Sequence, residues 1–199
     1  MKSKQLVIII FTMLLFIACK KEPQASDQTN ATTQTEKTEH KGQAAVKAGE
    51  GEDANVLQVA MTYKDDDGNK PFSTLVAAVQ AASVEDALVN AGPLTVFAPV
   101  NSAFAKIQDA VDNLLKPENK EKLAFVLVNH VAPANYPIKQ LKKEAKKGRK
   151  LYMASGKYLE VENKGGKIFV GGTEVLMSVK VSNGWIHVVG DVLVPSADK

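Results

Sequence analysis

Apolar and polar positions divide this chain into three regimes. Residues 6–17 are an almost unbroken apolar run. Residues 20–53 carry almost no large apolar side chain. From residue 54 apolar positions recur first at helical and later at strand spacing. In the helical part, VLQVAMTY (residues 56–63) predicts a helix and KDDDGNK a polar turn, and Ser73 can cap a helix carrying Leu75, Val76 and Val79. Ser83 with Asp86 three residues on reads as a capping box, and Gly92 and Pro93 stop the helix that follows it. Residues 95–98 form a short β run. Pro99 then blocks helix and sheet hydrogen bonding and biases Ala98 toward extended backbone. Asn101 predicts the cap of a helix to Leu115, because Phe104, Ile107, Val111 and Leu114 recur behind it at helical spacing. Asn119 predicts the cap of KEKLAFVLVNHV, with Leu123, Val126, Leu127 and His130 on one stripe.

Beyond Gly148 the period shortens. KLYMA, KYLEVEN, KIFVGG, EVLMSVKV and WIHVVGDVLVP are β-rich runs, separated by SG, KGG, GGT and NG, which are hairpin turn signals. In KYLEVEN, Tyr158, Glu160 and Glu162 alternate with Leu159 and Val161, placing one face in a core. Helices first and strands later predict an α+β fold rather than a doubly wound sheet.

The first two regimes are read as processing and tethering signals. Lys2 and Lys4 precede the apolar run, whose twelve residues fall short of the ~20 needed to cross a bilayer. The sequence Leu15-Phe16-Ile17-Ala18-Cys19 resembles a bacterial lipobox, with Phe16 where leucine is usual. That resemblance implies a lipoprotein signal peptide over residues 1–18 and acylation of Cys19, the chain's one cysteine. Lys20 and Lys21 behind it, with no aspartate, resemble an outer-membrane address. Residues 19–53 cannot bury enough apolar surface to offset ordering entropy and read as a lipidated, disordered linker, with His40 alone in it. Residues 54–199 suit one domain with one core. Net charge is only +3, of which Lys2 and Lys4 supply two, so overall charge selects no partner.

Three ordered motifs in the domain resemble the fasciclin family of exported adhesion-type modules. TVFAPVNSAFAKI resembles its first signature, SNGWIHVVGDVLVP its second, and LVNHVAPANY stands where the family has a tyrosine–histidine motif; PFSTLVAAVQAA fits its N-terminal helix. The resemblance implies a wedge of two β-sheets with packed helices, and a non-enzymatic adhesion or binding role toward proteins or polysaccharides. It also implies structural roles for Thr95, Phe97, Pro99, Asn101, Phe104, His130, Asn183, Gly184 and His187. The chain departs from the pattern at Val100, Ser102 and Asn129. Ser178-Val179 stands where animal members have the Asp-Ile pair used for integrin recognition, so integrin binding is not carried over.

Candidate chemistry is sparse. No G-x-S-x-G elbow, Walker loop, H-E-x-x-H or C-x-x-C occurs, and no catalytic residue, metal or cofactor is expected. His130 is expected to be a structural histidine bonded to a backbone carbonyl or to Asn101. His187 is expected to face away from Ile186 and Val188. Asp65, Asp67 and Asn69 fall at calcium-loop spacing, but Lys70 occupies the glycine position and Val76 that of the distal carboxylate, so a solvated loop is expected. KQLKKEAKKGRK stands out: Lys139, Lys142, Lys143, Lys146, Lys147 and Lys150 are spaced by three and four, with Arg149 among them. A helix would gather most of this charge on one face, suited to an anionic polysaccharide or lipid headgroups; an extended or loop segment would scatter it. Nucleic acid is not an expected partner, since aromatic residues do not interleave the lysines. The reading from sequence is thus an exported module, lipid-anchored to a bacterial outer membrane or cell surface, that binds a protein or anionic polysaccharide. Two alternatives stay open: a carrier of an apolar small molecule in a cleft near Met153, Tyr158 and Met177, and an enzyme such as a hydrolase using His130.

Overall fold

A computed structural model describes residues 53–89 and 92–194. The leader, Cys19 and the linker lie outside the described residues. Three helices come first, α1 (Val56–Thr62), α2 (Ser73–Ala82) and α3 (Glu85–Val89), then strand β1 (Leu94–Pro99). Helices α4 (Asn101–Ala105), α5 (Gln108–Leu114) and α6 (Lys120–Val128), strand β2 (Val131–Ala132) and helix α7 (Ile138–Lys146) follow. The chain ends in β3 (Lys150–Tyr152), β4 (Tyr158–Lys164), β5 (Lys167–Val170), β6 (Thr173–Val181) and β7 (Gly184–Val189).

The seven strands are hydrogen-bonded in the order β2-β1-β7-β6-β5-β4-β3. Strand β6 belongs to two leaves, because Thr173 and Glu174 pair with β5 whereas Val175 to Val181 pair with β7 across a bulge between Val175 and Met177. Both leaves close on a core of their own. Leu94, Val96, Ala98, Ile186 and Val188 face helices α1–α6. Phe97 and Val189 face the opposite way, onto Leu151, Leu159, Val161, Ile168 and Val170 of the second leaf. The wedge of two sheets with packed helices is therefore present, with one strand common to both. Every residue of β1 is buried, since it has a core on each side. Burying Phe97, Phe104, Leu127 and Val188 contributes about 2 kcal/mol each.

Four expected local signals resolve differently. Residues 101–115 form two helices, not one, because Ile107 leaves helical backbone (φ −129°, ψ 34°). Phe104, Ile107, Val111 and Leu114 still reach the helical core. Ser83 does not open α3. It closes α2 in the left-handed region (φ 55°) and accepts a hydrogen bond from Lys120 Nζ at 2.8 Å. Asn119 precedes α6 without a side-chain cap and instead donates to the Asn113 carbonyl at 2.8 Å. Ser73 is the first residue of α2, not its cap. The two-residue β2 and the parallel pairing of β1 with β7 carry no signal in the local pattern.

Candidate functional site

The strand-to-helix joint at Pro99 is built as a structural lock. Asn101 was expected to cap its own helix, yet its side chain caps α2. Its Oδ1 accepts from the Thr74 amide at 3.0 Å, and its Nδ2 donates to Ser73 Oγ at 2.9 Å and the Lys70 carbonyl at 3.0 Å. The reason is tertiary. The Asn101 amide donates to the Pro71 carbonyl at 2.8 Å, which brings the free amides at the start of α2 within reach of this side chain. Thr95 Oγ1 donates to Ala134 O at 2.8 Å and accepts from the Tyr136 amide at 2.9 Å, fixing the loop before α7. Asn183 accepts from the Val56 amide at 3.1 Å and donates to Leu88 O at 2.8 Å. Gly184 follows because a Cβ there would stand 1.7 Å from the Leu94 carbonyl oxygen.

Both domain histidines are consumed by the fold. His130 Nδ1 donates to Val126 O at 2.8 Å and its Nε2 accepts from the Leu193 amide at 2.8 Å. The expected carbonyl partner is present; Asn101 is not a partner. One donor and one acceptor fit the neutral ring, and burial drives the pKa down to about 4. His187 faces away from Ile186 and Val188 as expected. Its Nε2 donates to Tyr136 O at 2.7 Å, its Nδ1 accepts from Ser178 Oγ at 2.8 Å, and burial lowers its pKa. Neither ring has a free nitrogen to offer a substrate. Asp65 uses its carboxylate on the amides of Asp67 and Asn69 at 3.1 and 2.7 Å, which is an ordinary Asx turn.

The lysine-rich segment is helical where it matters. Ile138–Lys146 forms α7, with Leu141 fully buried in the inter-leaf core. At about 100° per residue, Lys139, Lys142, Lys143 and Lys146 fall within an arc of roughly 100° on the side away from Leu141. These four and Lys147, which ends the helix, are exposed, and none forms an ion pair with a described residue. The other two cations are placed differently. Arg149 turns to the buried Glu144 at 3.7 Å, a carboxylate also bound by Gln140, and Lys150 lies in β3 paired with Glu160 at 3.0 Å. The seven predicted cations thus separate into five free ones along and at the end of one helix and two engaged ones beyond it.

The residues suggested for an apolar cleft are not brought together. Met153 is fully buried in the inter-leaf core, Tyr158 is exposed, and Met177 lines an outer groove with Tyr63. The apolar voids against the helical core measure about 30 and 20 Å³. Small-molecule sites run to several hundred Å³. Sequence reasoning passed over Trp185, the chain's one tryptophan, and Asn135. Both line an open groove of about 450 Å³ at the turn end of the wedge. Trp185 alternates with Ile186 in a strand, a signal that places it opposite the helical core, but nothing local places Asn135 beside it.

Comparison with known proteins agrees with this architecture. The fasciclin domain model matches residues 70–195. Protein sll1483 of Synechocystis sp. is 42% identical over 130 residues, covering 64% of this chain and 69% of that one. Transforming growth factor-beta-induced protein ig-h3 of Sus scrofa is 33% identical over 135 residues, 66% of this chain but 19% of that one. A FAS1 domain pair from the insect cell adhesion molecule Fasciclin I superposes with a TM-score of 0.57 at 21% identity. That match covers 71% of this chain and about half (51%) of the insect structure. With a family model spanning most of the described residues and a solved FAS1 structure of the same fold, the chain belongs to the fasciclin family.

Proposed function

We propose that this protein is a non-catalytic, surface-displayed binding module whose α7 cations dock an anionic polysaccharide, with Cys19 carrying the lipid that holds it at a bacterial membrane surface. Fasciclin domains are cell-adhesion-type modules of secreted or surface proteins, and that role needs a recognition surface rather than a reaction centre. The observation that carries the reading is the free row Lys139, Lys142, Lys143 and Lys146 on α7. Four like charges on one face repel each other, by a few tenths of a kcal/mol per pair at helical spacing. An extended polyanion relieves that repulsion and gains Coulomb attraction at each lysine. Both domain histidines have their ring nitrogens committed to hydrogen bonds, which supports the non-catalytic part.

The test is salt elution of the full chain, in non-ionic detergent, from immobilised heparin. The expected result is retention that falls steeply with salt and is lost when Lys142, Lys143, Lys146 and Lys147 are changed to Gln. Changing Arg149 and Lys150 to Gln is expected to shift elution much less. Passage of the unaltered chain straight through the column would overturn the reading.

A further inference from the structure

We infer that the groove at Trp185 is a sugar-ring subsite, in which one ring of the polysaccharide stacks on the indole and hydrogen-bonds to Asn135. The ligand class rests on the reading of α7 above; the site does not.

The indole is a prepared platform. His187, two residues on along the same face of β7, holds its ring within 11° of the indole plane at a centroid distance of 6.4 Å, and Phe97, its register partner on β1, packs against the His187 ring at 5.4 Å and 28°. The His187 ring cannot turn freely. Its Nε2 is bonded to the Tyr136 carbonyl and its Nδ1 to Ser178 Oγ. Trp185 is therefore half-buried against a fixed neighbour, while its remaining surface lines the open groove of about 450 Å³ with Pro93, Asn135, Lys180, Ser182 and Asn183. That volume falls within the range of small-ligand sites. Among the described residues, neither the Trp185 Nε1–H nor the Asn135 amide is engaged in a hydrogen bond. A flat apolar surface edged by an idle donor and an idle amide matches a pyranose ring, which has an apolar C–H face and hydroxyls around its rim.

The groove also adjoins the cationic helix. Asn135 precedes Lys139 by four residues, so their Cα atoms are at most about 14 Å apart. The loop carrying Asn135 is pinned by Thr95 and His187, the latter being the residue whose ring lies beside the indole. A single glycan chain can therefore place one ring on Trp185 and its anionic groups along Lys139, Lys142, Lys143 and Lys146.

Because the chain has one tryptophan, its emission reads the subsite directly. The full chain in non-ionic detergent is titrated with a heparin-derived hexasaccharide while Trp185 fluorescence is followed. A saturable change in emission is expected, with affinity weakened about tenfold in Asn135→Ala, the loss of one hydrogen bond to a ligand. Binding followed by calorimetry is expected to fall about tenfold or more in Trp185→Ala and to persist within a few-fold in Trp185→Phe, which keeps an aromatic platform. Retention on the heparin column with unchanged Trp185 emission would overturn the subsite and leave the α7 reading standing. Wild-type affinity in Trp185→Ala would overturn it equally. An emission change that survives the four Lys→Gln substitutions supports the subsite even if the helix proves not to be the docking face. Absence of both retention and emission change overturns both.

Discussion

Asn101 shows how one side chain can decide a packing arrangement. Three hydrogen bonds to Thr74, Ser73 and Lys70 tie the start of α2 to the start of α4. Asn101→Ala is expected to destabilise the protein by about 1–2 kcal/mol, the scale of a lost helix cap, read as a lower urea midpoint. Ser73→Ala, which removes only one of the three partners, is expected to cost less than about half of that. An equal effect of the two substitutions would show that Asn101 does not act as the cap of α2.

Among the elements, β1 depends on one glycine in its neighbour. Leu94 and Gly184 are register partners where the parallel strands start, and the Leu94 carbonyl occupies the place of a Cβ at residue 184. Gly184 also has φ 151°, which disfavours an L side chain. Gly184→Ala is expected to cost about 4 kcal/mol or more, or to prevent folding, because β1 must move and both cores rest on it. Gly156→Ala is the control: its φ of 80° is likewise left-handed, but no atom lies within 4 Å of the added Cβ. Backbone strain alone then costs about 1–2 kcal/mol in thermal or urea unfolding. Comparable losses at the two positions would remove the steric account of β1.

Taken whole, the molecule is pinned across its layers by two neutral histidines. His130 joins the end of α6 to the segment at Leu193, and His187 joins the first leaf to the loop before α7. Both have lowered pKa values, His130 near 4 against an ordinary 6.5. Below pH 6.5 the unfolded chain therefore binds protons that the folded chain refuses. Stability is expected to fall as pH drops from about 6.5 to about 4 and then to level off for this residue, with His130 accounting for about 3 kcal/mol. His187 adds to the loss in the same direction. Urea unfolding across this pH range checks it: His130→Gln, whatever its absolute stability, should lose the part of the slope that His130 supplies. An unchanged slope would mean that His130 accepts a proton in the folded state.

Much of this protein is decided by the local pattern alone. The helices-then-strands order, the five C-terminal β runs and their turns, the alternation of β4 and the opposite facing of His187 all follow from side-chain period, which needs no tertiary context. The family motifs were legible for a related reason: Thr95, Asn183 and Gly184 hold fixed backbone positions whose geometry few other residues satisfy. The charge spacing of the lysine-rich segment was legible too, but not that five of its cations pair with no carboxylate among the described residues while Arg149 and Lys150 find one. Only the folded chain decided which end these caps serve, because Asn101 and Ser83 take partners brought up from elsewhere in the sequence, while Asn119 turns back to the Asn113 carbonyl six residues before it. It also separated Met153, Tyr158 and Met177, and it set Trp185 beside Asn135 across fifty residues of chain. Period determines which face a residue takes; what stands opposite that face is set by how the leaves and helices close on each other.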